Sequence, residues 1–168
     1  MMKEETLRME TEALVETLGR ELVARGLTVS TAESCTGGMV AARLVDYPGI
    51  SAALNEAHVT YANEAKIKYC GVKEETLAAH GAVSEETAQE MAEGLREKAG
   101  ADIAIATTGI AGPGGGTKEK PVGLVYVACA SAHQTQIKKL NLSGDRQQVR
   151  KQAVHQALEL ALAVVTSE

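Results

Sequence analysis

Ser34 and Cys35 stand side by side in the stretch Thr31-Ala32-Glu33-Ser34-Cys35-Thr36-Gly37-Gly38. Either could serve as a nucleophile if a base came within hydrogen-bond reach. Leu27-Thr28-Val29-Ser30, just before, is short and β-prone and predicts a strand. Met39 to Val45, just after, predicts a helix that stops near Pro48-Gly49. A strand that passes through a glycine-ended turn into a helix leaves the turn's side chains at the carboxyl edge of a sheet. It also aims free backbone N–H groups, and the positive end of the helix dipole, at that point. A nucleophile and an anion-stabilising pocket could then share one turn. The plainer role for Ser34 or Thr36 is to cap the helix.

Three further groups could complete a site. Lys66 is a candidate base, because burial near such a turn would lower its pKa enough to take a proton from Ser34. Its alternative is an ordinary solvated lysine. Tyr61, just upstream, could orient the lysine or relay a proton, or simply pack at a sheet edge. Thr108-Gly109-Ile110-Ala111-Gly112-Pro113-Gly114-Gly115-Gly116-Thr117 is the richest loop in the chain. Its glycines would let backbone N–H groups approach an anion closely, although it carries neither GxxxxGK[ST] nor GxGxxG; a flexible surface turn is the alternative. Arg146 and Arg150, one helical turn apart, could hold an anionic ligand or form a surface pair. Spacing alone does not choose between Ser34 and Cys35, and it leaves His58 and His80 open as bases. A Ser–His–Asp reading lacks a GxSxG elbow.

The surrounding elements are those of an α/β domain. Leu7, Leu14, Leu18 and Leu22 form a helical stripe from about residue 4 to 25, with Gly26 as the stop. Ile50 to Leu54 is ambiguous. Ala57 to Tyr61 predicts a short strand, followed by a helix with Asn63 as its cap. Lys73 to Ala79 predicts a short helix, and Ser84 caps a longer one running to about Ala99. Asp102 to Thr107 predicts a buried strand, Val122 to Ala130 and Gln134 to Leu142 a hairpin, and Ser143-Gly144-Asp145 the start of a last helix. Alternating helices and strands followed by a hairpin predict a single domain over 1–168, α/β in class, with a mixed sheet between two helical layers, three layers in all. Both glycine-ended turns follow strands, so one sheet edge should carry both.

Composition narrows the function. The chain has 168 residues, a formal charge of −5, no Phe or Trp and only Tyr47, Tyr61, Tyr69 and Tyr126 as aromatics. It therefore lacks base-stacking platforms and a basic tracking surface, so no nucleic-acid partner is expected. Cys35, Cys70 and Cys129 are odd in number and outside any CxxC spacing, which predicts a reducing compartment and neither a disulfide frame nor a metal site. Met1-Met2-Lys3-Glu4-Glu5 opens a charged segment without an apolar signal core, and no apolar run approaches spanning length. A cytoplasmic location with no membrane partner is the expectation.

Ala32-Glu33-Ser34-Cys35-Thr36-Gly37-Gly38, Val59-Thr60-Tyr61-Ala62-Asn63-Glu64-Ala65-Lys66, Gly81-Ala82-Val83-Ser84-Glu85, Thr108-Gly109-Ile110-Ala111-Gly112-Pro113, Lys120-Pro121-Val122-Gly123 and Ser143-Gly144-Asp145-Arg146 occur in that order. Together they resemble the CinA C-terminal domain family of nicotinamide-nucleotide amidohydrolases over about residues 10 to 165. The resemblance implies hydrolysis of the carboxamide of nicotinamide mononucleotide to nicotinate mononucleotide and ammonia, without metal or other cofactor. It implies a catalytic set of Ser34, Tyr61 and Lys66. It also implies a substrate-binding set of Glu33, Cys35, Thr36 and Gly37 in the turn, Thr108, Gly109, Gly112 and Gly114 in the loop, and Lys120 and Arg146. Longer family members carry an extra N-terminal domain, so this chain is expected to be the stand-alone form, assembled as a homo-oligomer, dimer or higher. Two departures stand out: Pro48-Gly49-Ile50-Ser51 where the family usually has Pro-Gly-Ser-Ser, and Ala57-His58 where it usually has Gly-Phe. The resemblance also leaves a second class of function open, a non-catalytic nucleotide-binding or partner-binding module linked to competence and recombination.

Overall fold

The alternation of branched and small side chains along the strands explains the layers. In the computed structural model, which describes residues 3–168, β1 (Val29–Glu33), β2 (Leu54–Val59), β3 (Ile103–Gly109), β4 (Leu124–Ala130) and β5 (Thr135–Asn141) make one sheet in the order β2-β1-β3-β4-β5. β1 runs parallel to both β2 and β3, whereas β4 is antiparallel to β3 and to β5. Ile103, Ile105, Val125, Val127 and Cys129 face one side, where α1 (Glu4–Arg25), α2 (Met39–Val45) and α6 (Arg146–Thr166) bury Leu18, Leu22, Leu44 and Leu158 against them. Ala32, Ala104, Ala106, Ala128 and Ala130 face the other, where α5 (Glu85–Ala99) lays Met91, Ala92 and Leu95. Period-two alternation puts the two sets on opposite faces. The alanine face also lets α5 settle close to the sheet. The α/β class, the mixed sheet and the helical layers on both faces are as the sequence predicts.

Local chemistry ends the elements where it should. Gly26, Gly71 and Gly100 close α1, α3 (Asn63–Cys70) and α5 in the left-handed conformation. Ser84 Oγ accepts from Thr87 N at 3.1 Å to start α5. Asp145 and Gln148 form a reciprocal capping box at the head of α6.

Four boundaries differ from expectation. β1 is displaced toward the turn and includes Glu33, because Thr31 and Glu33 stay in register with Ala57 and Val59 on one side and Ile105 and Thr107 on the other. The ambiguous stretch becomes a 3₁₀ turn, Ile50–Ala52, and β2 then begins at Leu54. Asn63 is not a cap: Ala62 holds that position and no side chain bonds the first turn of α3. The short helix α4 spans Glu74–His80. Met1 and Met2, placed by the sequence at the head of the charged N-terminal segment, lie outside the described residues. Among the described residues no helix is long and apolar enough to cross a membrane.

Candidate active site

The carboxyl ends of the three parallel strands meet the N-terminus of α6, and the candidate side chains converge there. β1 delivers Ser34, whose N–H is fixed by Thr107 O at 3.0 Å. β2 delivers Thr60, whose N–H bonds Glu33 O at 2.8 Å. From α3, packed against α5, Lys66 reaches back over the strand ends and is only 1% exposed. As an ammonium, its Nζ donates to Ser34 Oγ at 3.1 Å, Thr60 O at 2.8 Å and Tyr61 O at 3.0 Å. Burial pushes the Lys66 pKa below its ordinary value of 10.5. A neutral amine has two N–H donors and one lone pair. The two carbonyls match the donors, so the lone pair falls toward Ser34 Oγ. That arrangement suits a base acting on the serine hydroxyl.

Ser34 caps nothing. The first amides of α2 are held instead by Glu33, whose carboxylate accepts from Val40 N at 2.8 Å, Ala41 N at 3.0 Å and Thr36 Oγ1 at 2.6 Å. Glu33 is 0% exposed, so it builds the turn from beneath. Thr36 Oγ1 also meets Thr107 Oγ1 at 2.7 Å. Gly37 N closes the turn on Ser34 O at 3.1 Å. Among the described residues the N–H groups of Cys35 and Thr36 donate to no acceptor, the condition an oxyanion pocket requires.

Cys35 is buried and its thiol is pushed up to about 11 by that burial. With no histidine bonded to it, Cys35 is the poorer nucleophile. His58 bonds Glu56 at 2.8 Å and stacks on Tyr69 at 4.9 Å, and His80 faces Glu86 at 3.7 Å. Neither histidine bonds Ser34 or Cys35. His58 thus places a ring at the departing Ala57-His58 position, packed on α3. Among the described residues no three His, Cys, Asp or Glu side chains gather as metal ligands.

Tyr61 meets the lysine through its backbone rather than its ring. Its carbonyl orients Lys66, while its phenol receives Arg146 Nη2 at 3.2 Å. Arg146 also donates through Nη1 to Gly112 O, at 2.6 Å, tying α6 to the glycine loop. Thr108 is 1% exposed and donates to Ala82 O at 2.7 Å, so it pins the end of β3 to the segment before α5. Gly109 still pairs with Val125, and a Cβ there would lie 2.6 Å from the Val125 side chain. Gly112 has φ +85°, with Val122 Cγ1 2.5 Å from where its Cβ would be. Gly114 is exposed with open space around it. Lys120 Nζ is engaged by His80 O, across the loop.

Two surface hollows of about 540 and 550 Å³ lie elsewhere, around Glu5, Thr11 and Lys151 and around Gln89 and His133. Neither is lined by Ser34, Lys66 or Arg146. Thr107 and Thr60 are the site residues that sequence reasoning missed; the two threonines ending the apolar run Ile103 to Ala106 were the available signal for the first.

The sequence model of the CinA C-terminal domain family matches residues 11–165. A relative from Clostridium acetobutylicum, provisionally named a competence-damage inducible protein, is 51% identical over 158 residues, covering 94% of this chain and 38% of its own length. One of the same name from Clostridium novyi is 57% identical over 146 residues, covering 87% and 35%. The chain therefore spans little more than a third of these curated relatives. Among solved structures, the competence/damage inducible protein CihA from Agrobacterium tumefaciens superposes with a TM-score of 0.90 at 42% identity, covering 92% of this chain and 95% of that one. A CinA superfamily protein from Klebsiella pneumoniae gives 0.89 at 40% identity, covering 94% and 99%.

Proposed function

This chain belongs to the CinA C-terminal domain family, and from that premise we propose that it is a serine amidohydrolase acting on the carboxamide of nicotinamide mononucleotide. The observation that carries the reading is the buried Lys66 amine 3.1 Å from Ser34 Oγ, with its other two directions taken by the carbonyls of Thr60 and Tyr61. A lysine held dry against a serine hydroxyl, next to unpaired amides, has the parts of an acyl-transfer site.

Ser34 Oγ attacks the amide carbon while its proton passes to Lys66 Nζ. The carbonyl electron pair moves to oxygen, and that oxyanion sits against the N–H groups of Cys35 and Thr36. Collapse breaks the C–N bond as Lys66 returns the proton to nitrogen, releasing ammonia and leaving a Ser34 ester. Water, deprotonated by Lys66, opens the ester; Ser34 Oγ recovers its proton and nicotinate mononucleotide departs. Arg146 and the 109–116 loop face the substrate's phosphate.

The test is ammonia release from nicotinamide mononucleotide by the purified chain. Wild type and Cys35→Ala should turn over, while Ser34→Ala should bind the nucleotide and release nothing. Binding without turnover by the wild type, at every pH tried, would move the reading to a nucleotide-binding module. Undiminished turnover by Ser34→Ala would reject this nucleophile.

A further inference from the structure

The guanidinium of Arg150 is spent on the backbone of the nucleophile turn rather than on solvent. Nε donates to Cys35 O at 2.9 Å and Nη2 to Thr36 O at 3.2 Å, across 115 and 114 residues of sequence. Gly37 lies beneath it with φ +60°, and a Cβ there would stand 3.2 Å from Nη2. The glycine thus supplies both the left-handed turn and the room for the fork. Val149 and Ala153, buried in the core on either side, fix the helix that carries it.

Each peptide links a carbonyl to the N–H of the next residue. A cation on Cys35 O polarises the amide whose other end is the Thr36 N–H, one of the two groups without an acceptor. Charge-assisted bonds are short and directional, and a bidentate arginine adds geometric definition that a lysine lacks. Hydrogen bonds in series also polarise one another. The opposite side of the same turn carries the buried Glu33 carboxylate, bonded to Thr36 Oγ1 at 2.6 Å. That negative charge opposes an oxyanion forming nearby, and the Arg150 cation offsets it.

We propose that Arg150 is a positioning residue for acyl transfer: it clamps the Cys35 and Thr36 carbonyls so that the paired N–H groups stay aimed at the oxyanion. This rests on the amidohydrolase reading. Its effect belongs to the transition state, where charge develops on oxygen, so it should appear in kcat and leave KM nearly unchanged.

The test compares wild type with Arg150→Met, Arg150→Lys and Gly37→Ala for ammonia release from nicotinamide mononucleotide, with thermal unfolding to confirm folding. Arg150→Met should lose about ten- to a hundredfold in kcat, short of the 10²–10³ that follows outright removal of an oxyanion donor. Arg150→Lys keeps the charge without the fork and should fall between. Gly37→Ala, which crowds the guanidinium and strains the left-handed turn, should lower kcat in the same direction. The second readout is inhibition by pyridine-3-carboxaldehyde mononucleotide, whose aldehyde carbon takes the Ser34 oxygen to give a tetrahedral adduct while Lys66 takes the proton. Arg150→Met should weaken this inhibitor by about the factor lost in kcat, while KM for the amide stays put. Equal kcat in wild type and Arg150→Met, or equal weakening of amide and aldehyde, would overturn the assignment. A wild-type chain that binds the nucleotide and releases no ammonia overturns the amidohydrolase reading itself, a result seen in wild type alone before any Arg150 variant is compared.

Discussion

Ser34 Oγ and Lys66 Nζ lie 3.1 Å apart although 32 residues separate them in sequence. The contact exists because β1 and β2 are neighbours and parallel, so both strands end on the same edge, and α3 doubles back over that edge. Water is nearly excluded from the amine, which is 1% exposed. A charged ammonium is disfavoured there, and a neutral amine is what a base must be.

Activity should therefore rise with pH through the Lys66 pKa, at a midpoint below 10.5. The sign for stability follows the same linkage. Because the folded pKa is depressed, the unfolded chain binds the Lys66 proton more tightly and the penalty is greatest at low pH. It fades as pH rises from the folded value toward 10.5. Wild type should gain stability relative to Lys66→Met across that window, measured by denaturant unfolding at several pH values. A flat difference would mean that Lys66 titrates as a solvated lysine.

Glu33 offers a direct choice between supporting the turn and binding substrate. Its carboxylate accepts from two backbone amides and the Thr36 hydroxyl. Glu33→Gln should destabilise the fold by roughly 1.5–3 kcal/mol, a fall in Tm of roughly 3–12 °C for a domain of this size. Calorimetry checks this. Unchanged Tm with a raised KM would instead assign Glu33 to the substrate.

On the proposed reading the substrate's phosphate is recognised locally, since the chain carries a net charge of −5. Arg146 is exposed at the site mouth and bonds Tyr61 Oη at 3.2 Å, whereas Lys120 is held by His80 O. Arg146→Ala should weaken nicotinamide mononucleotide about 10- to 150-fold, mostly in KM, and affect the phosphate-free riboside much less. Lys120→Ala should show the same pattern with a smaller factor. Equal losses for nucleotide and riboside in both variants would place the phosphate contact elsewhere.

The seat of Lys66 depends on a glycine far from it in sequence. A Cβ on Gly94 of α5 would stand 1.6 Å from Cys70 O at the end of α3. Alanine is the better helix former by about 1 kcal/mol, yet overpacking of this kind typically costs about 1–3 kcal/mol and shifts backbone. Gly94→Ala should lower Tm and reduce kcat together, because displacing α3 moves Lys66 from Ser34. Full activity at normal Tm would show that the two helices have slack.

Much of this protein was legible before any fold was known. Strand-turn-helix order around Ser34, the 3.6-residue stripe of α5 and the apolar run of β3 are local patterns, and local patterns determine elements. They also point to the two glycine-ended turns as the candidate site, since turns after strands collect at one sheet edge. Spacing leaves Lys66, His58 and His80 all open as bases, and only the family resemblance favours Lys66. What only the tertiary structure decided is which groups meet. Register carries Glu33 into β1, where its side chain faces α2 and supports the turn from below. The Tyr61 phenol goes to Arg146 while its carbonyl goes to Lys66. Arg150, indistinguishable by sequence from a surface arginine, lands on Cys35 O and Thr36 O because α6 packs its Val149 face against the sheet. Periodicity says which way a side chain faces along its own element. Its partner depends on register and packing between elements brought together from distant parts of the chain.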